Sequence, residues 1–185
     1  MMCARAIVPF AAIALTAATT GADPLPPGSI GLLVGANAGT GPDANALGLG
    51  PTFGAQATWQ PMATEQRVGL LGFKLTALFG QLYLGDAGRV SDPLRTLQFD
   101  LMYSMRIRPG ANPSRYLTLR VGGTLLRTDQ EIPPNMNRAY AGAIASVGLD
   151  QHAFGLLFNV DVRYSMLGAR PGMLGLVFGI SKTGP

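Results

Sequence analysis

Between residues 96 and 108 the chain alternates apolar and polar side chains, with Met102 the one apolar residue on the polar side. Leu97, Phe99, Leu101, Tyr103, Met105 and Ile107 fall on one side of this stretch. Thr96, Gln98, Asp100, Ser104, Arg106 and Arg108 fall on the other. A period of two belongs to an extended strand, whose successive side chains point to opposite faces. One face of this strand is therefore greasy and the other carries formal charge.

The pattern recurs from about Ser29 onward, in segments of roughly ten residues separated by turn residues. Eight strand candidates follow: Ser29–Gly39, Ala46–Gln60, Val68–Tyr83, Arg95–Arg108, Arg115–Arg127, Ala139–Asp150, Gly155–Leu167 and Met173–Lys182. Gly41-Pro42-Asp43-Ala44-Asn45, Pro109 to Ser114 and Gly168-Ala169-Arg170-Pro171 supply turn chemistry between them. The longest links are Leu84–Leu94 and Thr128–Arg138. Both follow odd-numbered strands, and so share one end of an up-and-down arrangement. Gln151–Phe154 is read as a short turn at the other end. The expected fold is all-β, an eight-stranded antiparallel up-and-down transmembrane β-barrel.

Hydrophobic residues make up 48% of the chain and charged residues 13%, yet no apolar run reaches the ~18 residues of a membrane-spanning helix. The N-terminus carries Arg5, an apolar segment from Ala6 to Ala18 and then Thr20-Gly21-Ala22, the three parts of a secretory signal peptide. The expected organisation is a signal peptide at 1–22, a proline-rich lead-in at 23–28 and a barrel at 29–185. Cleavage after Ala22 removes Cys3, the only cysteine, and with it disulfides and thiolate ligands. The net charge of +4 drops by one with Arg5, and the basic residues are scattered, without the patch that nucleic acid requires.

Side-chain size decides which face looks outward. The apolar face is bulky, with Phe53, Trp59, Phe73, Phe79, Leu119, Phe158, Tyr164 and Phe178 among its members. The polar face mixes long charges with glycine, as in Gly35, Gly39, Gly54, Gly72, Gly122 and Gly148. A narrow interior cannot hold eight rows of bulky residues, so the apolar face is assigned to lipid and the polar face to the lumen. A soluble barrel with the faces exchanged is the competing arrangement. Trp59 and Tyr83 fall near strand ends, where an interfacial aromatic belt would sit. Ala139, Ala141, Ala143 and Ala145 present a smooth outer stripe against which another barrel could pack.

The predicted lumen holds Lys74, Arg106, Arg120 and Arg163 against Asp100 and Asp161. Buried charges are costly unless paired, so these six should form a hydrogen-bonded network with Gln56, Gln98 and Asn159. The imbalance of four bases to two acids motivates a second reading, an anion-favouring conduit. No catalytic set is found. His152, the only histidine, falls in the predicted turn Asp150-Gln151-His152-Ala153, and neither a histidine-based triad nor a metal site can be assembled around it. No metal and no cofactor is expected.

From Ser29 to Lys182 the chain resembles the small eight-stranded bacterial outer-membrane proteins of the OmpA and OmpX type. Its last strand is similar to their C-terminal assembly signal, with Gly175, Phe178 and Ile180 in the corresponding positions. It departs from that signal in ending on Lys182-Thr183-Gly184-Pro185 and in placing Met173 where a polar residue is usual. The resemblance implies a bacterial outer-membrane location, contact with outer-membrane lipid, escort by periplasmic chaperones and insertion by the outer-membrane assembly machinery. The modest loops and the absence of a catalytic set favour a structural or interaction role, as a loop-presenting barrel or a subunit of an envelope complex for secretion, export or motility, with a small anion or apolar-molecule pore as the alternative. The long protruding strands of some such barrels are not expected here.

Overall fold

The computed structural model describes residues 28–40, 48–60, 68–83, 85–86, 89–90, 93–109, 114–132, 137–168 and 172–184. The expected signal peptide at 1–22 and nearly all of the lead-in lie outside the described residues; Gly28 opens the first strand.

Among the described residues ten strands occur, in the order β1 Gly28–Thr40, β2 Leu49–Trp59, β3 Val68–Leu82, β4 Gly85–Asp86, β5 Arg89–Val90, β6 Leu94–Ile107, β7 Arg115–Ile132, β8 Asn137–Ala153, β9 Leu156–Leu167 and β10 Gly172–Thr183. Eight of them close into one antiparallel barrel, with β1 paired to both β2 and β10. The remaining two, β4 and β5, pair with each other in the link between β3 and β6. Each barrel strand neighbours the barrel strand before it, so the connectivity is up-and-down and the barrel sheet has no open edge.

The stagger follows from the registers. From Val34, paired residues lead through Phe53 and Phe79 to Leu97 on β6. In the other direction they lead through Phe178, Val160, Leu149 and Leu117 to Ile107. The circuit thus returns ten residues displaced along β6, and closure requires strands tilted by roughly 35–45°.

The outer wall is apolar. Ile30, Leu32, Phe53, Trp59, Leu101 and Val121 are all more than half exposed. On β6 this face runs from Leu97 to Ile107, which at ~3.3 Å per residue and the tilt above gives a band about 25 Å tall. Such a band matches the hydrocarbon layer that outer-membrane barrels cross, and it far exceeds the apolar patch a soluble monomer leaves exposed. Trp59 ends β2 at one margin and stacks on Phe73 at 6.2 Å, while Tyr83 follows β3 at the opposite margin.

Two parts of the chain extend further than the alternation suggested. β8 runs on through Gln151, His152 and Ala153, so the expected turn at Asp150–Ala153 is strand. The reversal is the two-residue link Phe154-Gly155, with φ of 56° and 70°. Both values lie in the left-handed region used by tight hairpin turns, where glycine is at ease and phenylalanine is not. At the other end, Thr128–Arg138 is largely strand too. β7 reaches Ile132 and β8 begins at Asn137, with Ile132 facing Asn137. The β7–β8 pairing therefore reaches past the expected strand ends, into a segment expected to be loop. A register shift between Arg127 and Ile132 marks where it leaves the wall.

Candidate functional site

The interior is layered along the axis. At the end that carries the β3–β6, β7–β8 and β9–β10 connections, here the loop end, Leu82, Leu94, Leu126, Tyr140, Leu167 and Met173 form a buried apolar cluster. Leu82 pairs with Leu94 and Leu126 with Tyr140 across neighbouring strands. Below it lies a charged column. Tyr116 and Leu157 close off the opposite, turn end, where the Arg108 guanidinium lies 5.4 Å over the Tyr116 ring and donates to its hydroxyl at 2.9 Å.

The column is built on the inward positions of β3, β6, β7, β8 and β9. Asp161 accepts from Lys74 Nζ at 2.6 Å, from Asn159 Nδ2 at 3.1 Å and from Arg120 Nη1. Lys74 on β3 and Asp161 on β9 stand on opposite sides of the barrel, so this ion pair spans the lumen. Arg120 reaches further, its Nη2 donating to both oxygens of Asp150 at 2.9 and 3.0 Å. Asp150 also holds Arg106, at 2.8 Å from Nε and 2.7 Å from Nη2, and Arg106 Nη1 donates to Gln60. A second unit centres on Asp100, which accepts from Arg163 Nη2 at 2.7 Å, Thr76 at 2.5 Å, Thr124 at 2.6 Å and Gln98 at 2.8 Å. Gln56 Nε2 ties Asn159 and Ser181 into the same wall.

All six lumen residues expected from the sequence, Lys74, Asp100, Arg106, Arg120, Asp161 and Arg163, are thus brought together with less than 5% exposure. Asp150 is not among the expected lumen residues, because the sequence places it at a strand end beside a turn. Its parity with Gly142, Ser146 and Gly148 on the same strand could have placed it in the lumen. With Asp150 the column has four bases and three acids, and the expected ratio of four to two is corrected. Glycine makes the room: a Cβ on Gly148 would strike the Asp161 carboxylate, and one on Gly175 would strike Asn37 and Arg163.

The apolar cluster was also missed. No bulky apolar residue is expected in the lumen from the sequence, yet these six stand inside where the barrel meets its loops. Leu82, Leu126 and Leu167 each keep the inward parity of their strands, so parity carried to the strand ends was the available signal.

Of the expected assembly-signal residues, Gly175 faces inward, whereas Phe178 and Ile180 face outward, with Ile180 52% exposed. His152 is buried at the turn end of β8 rather than in a turn, and its backbone N–H donates to Ser114 O at 2.9 Å. Among the described residues no group of three His, Cys, Asp or Glu side chains is placed to hold a metal ion.

An eight-stranded, up-and-down barrel with a polar packed interior and an apolar outer wall has the plan of the small bacterial outer-membrane barrels. Among solved structures the chain is similar to Ail, the attachment invasion locus protein of Yersinia pestis. The TM-score is 0.57 at 9% identity, covering 85% of this chain and 97% of that one. Ail in complex with the heparin analogue sucrose octasulfate gives 0.51 at 11% identity, covering 83% and 97%. The outer membrane protein OprG of Pseudomonas aeruginosa gives 0.46 at 14% identity, covering 83% and 91%. No family model and no curated protein matches the chain.

Proposed function

We propose that the protein is a closed bacterial outer-membrane barrel that acts through its loop end, presenting a hairpin to partners or joining an envelope complex. The observation that carries this reading is the filled lumen: an ion-paired column spans it and an apolar layer lies above. Water and ions would have to break buried pairs in the first and wet the second, so steady conduction is not expected. The polar segment of β7 and β8 beyond Arg127, with Asp129, Gln130, Glu131 and Arg138, stands above the apolar band and offers the contact surface.

In this reading residues 1–22 are a cleaved export signal. Gly175, Phe178 and Ile180 are read by the assembly machinery after chaperones deliver the chain, and the Ala139–Ala145 stripe is free for another barrel. The pore alternative rested on a charge excess that Asp150 now reduces. Single-channel recording in planar bilayers separates the two: silence supports the closed barrel, and large stable currents refute it. Migration on a native gel after mild detergent extraction then distinguishes a lone barrel from a complex subunit.

A further inference from the structure

At the loop-end margin of the apolar band, the outward face of β3, β6 and β7 turns polar within one outward position. Phe79 gives way to Gln81 and Tyr83, Leu97 to Arg95, and Leu125 to Arg127 and Asp129. The same margin on β8, β9 and β10 carries Ala139, Met166 and Leu174. Among the described outward positions of this margin, the arginines of β6 and β7 thus stand side by side, with none at Ala139, Met166 or Leu174. Gln81 faces Arg95 and Leu97 faces Arg127 across adjacent strands. Arg95 and Arg127 are thus diagonal neighbours, with backbones roughly 7–8 Å apart. Both are exposed. Among the described residues neither guanidinium forms an ion pair, although Arg106, Arg120, Arg138 and Arg163 all do. The nearby Asp129 carboxylate is engaged by the Arg95 backbone N–H at 2.9 Å. The Tyr83 hydroxyl lies 3.4 Å from the Gln81 amide oxygen, leaving the Gln81 amide nitrogen as a further donor in the patch.

We propose that Arg95 and Arg127, with Gln81 and Tyr83 beside them, bind the anionic phosphate headgroup of a lipid in the loop-side leaflet. The acyl chains of that lipid lie on Phe79, Leu97, Phe99 and Leu125. The inference rests on the membrane placement proposed above. Position selects a lipid over a soluble anion: the arginines adjoin, on the same wall, the apolar band that would hold the chains. Guanidinium groups present a planar fork that matches phosphate oxygens in pairs, and two of them stand beside the Asp129 carboxylate, which the Arg95 backbone N–H already engages.

The test inserts the purified protein into nanodiscs of phosphatidylcholine with a minority of phosphatidic acid and reads retained lipids by native mass spectrometry. The wild type should retain phosphatidic acid over phosphatidylcholine. R95Q/R127Q should lower that retention about tenfold, the sum expected of two exposed charge contacts. R127K, which keeps the charge but loses the fork, should fall between them. K182Q removes an exposed cation at the opposite margin and should change nothing. Heat-modifiable gel mobility checks that each variant is folded. Insertion without lipid preference, or an equal loss in K182Q, overturns this proposal alone. Failure to insert overturns the membrane reading and the proposal with it. Equally strong retention of inorganic phosphate or a sulfated oligosaccharide in pure phosphatidylcholine discs makes the patch a soluble-ligand surface and also overturns it.

Discussion

Replacing Asp161 by asparagine strands a lysine. Among the described residues the Lys74 ammonium meets only the Asp161 carboxylate, at 2.6 Å, and both side chains are 3% exposed or less. Arg120 loses one partner but keeps Asp150 at 2.9 and 3.0 Å. Removing one member of a buried pair costs about 3–5 kcal/mol, because the other charge stays desolvated without compensation. That is roughly two to four powers of ten in the folded-to-unfolded ratio. The reverse change, K74M, leaves Asp161 with Arg120 and Asn159 and should cost only about 1–2 kcal/mol. In K74M/D161N no charge is stranded, so the double variant should lie near K74M and well short of the sum. Urea unfolding of the protein in lipid vesicles, followed through Trp59, the only tryptophan, supplies the four corners of the cycle. The reasoning is refuted if D161N is no worse than K74M, or if the two losses add to within about 0.5 kcal/mol.

Three further expectations follow from the same structure. A145R places a charge on the outer wall near mid-band and should cost about 2–4 kcal/mol in bilayers, whereas A139R at the loop-end margin should cost about 0–1, measured by the same unfolding; equal small losses would refute the placement of this wall in the hydrocarbon layer. G148A drives a methyl group into the Asp161 carboxylate and should cost about 1–3 kcal/mol by overpacking, and stability equal to wild type would show that the column can shift. Truncating the apolar layer with L126A/L167A should cost about 2–5 kcal/mol per leucine, yet leave planar bilayers without steady current because the ion-paired column remains; a stable current from this variant would show that the apolar layer alone holds the lumen shut.

Much of the architecture was legible in the chain because a strand has a period of two and a barrel has two chemically different faces. The alternation at Leu97–Ile107 fixes which side chains of β6 share a face, and its greasy half can be satisfied only by lipid or by a core. Bulk on one face and glycine on the other then assign the inside. What alternation cannot report is where a strand stops, since the backbone keeps pairing as long as its neighbour does. Alternation alone therefore leaves Asp150, His152 and the β7–β8 hairpin as turn and loop. Nor does the sequence state which lumen charge meets which. Lys74 and Asp161 are 87 residues apart and reach each other across the barrel, a pairing set by strand order, stagger and tilt together. The apolar layer has the same origin: strand parity turns Leu82, Leu126 and Leu167 inward, but only closure gathers them at one end of the lumen. Local periodicity determined the faces of this protein, and ring closure alone decided which groups confront one another inside it, because only closure converts eight separate strands into one shared interior.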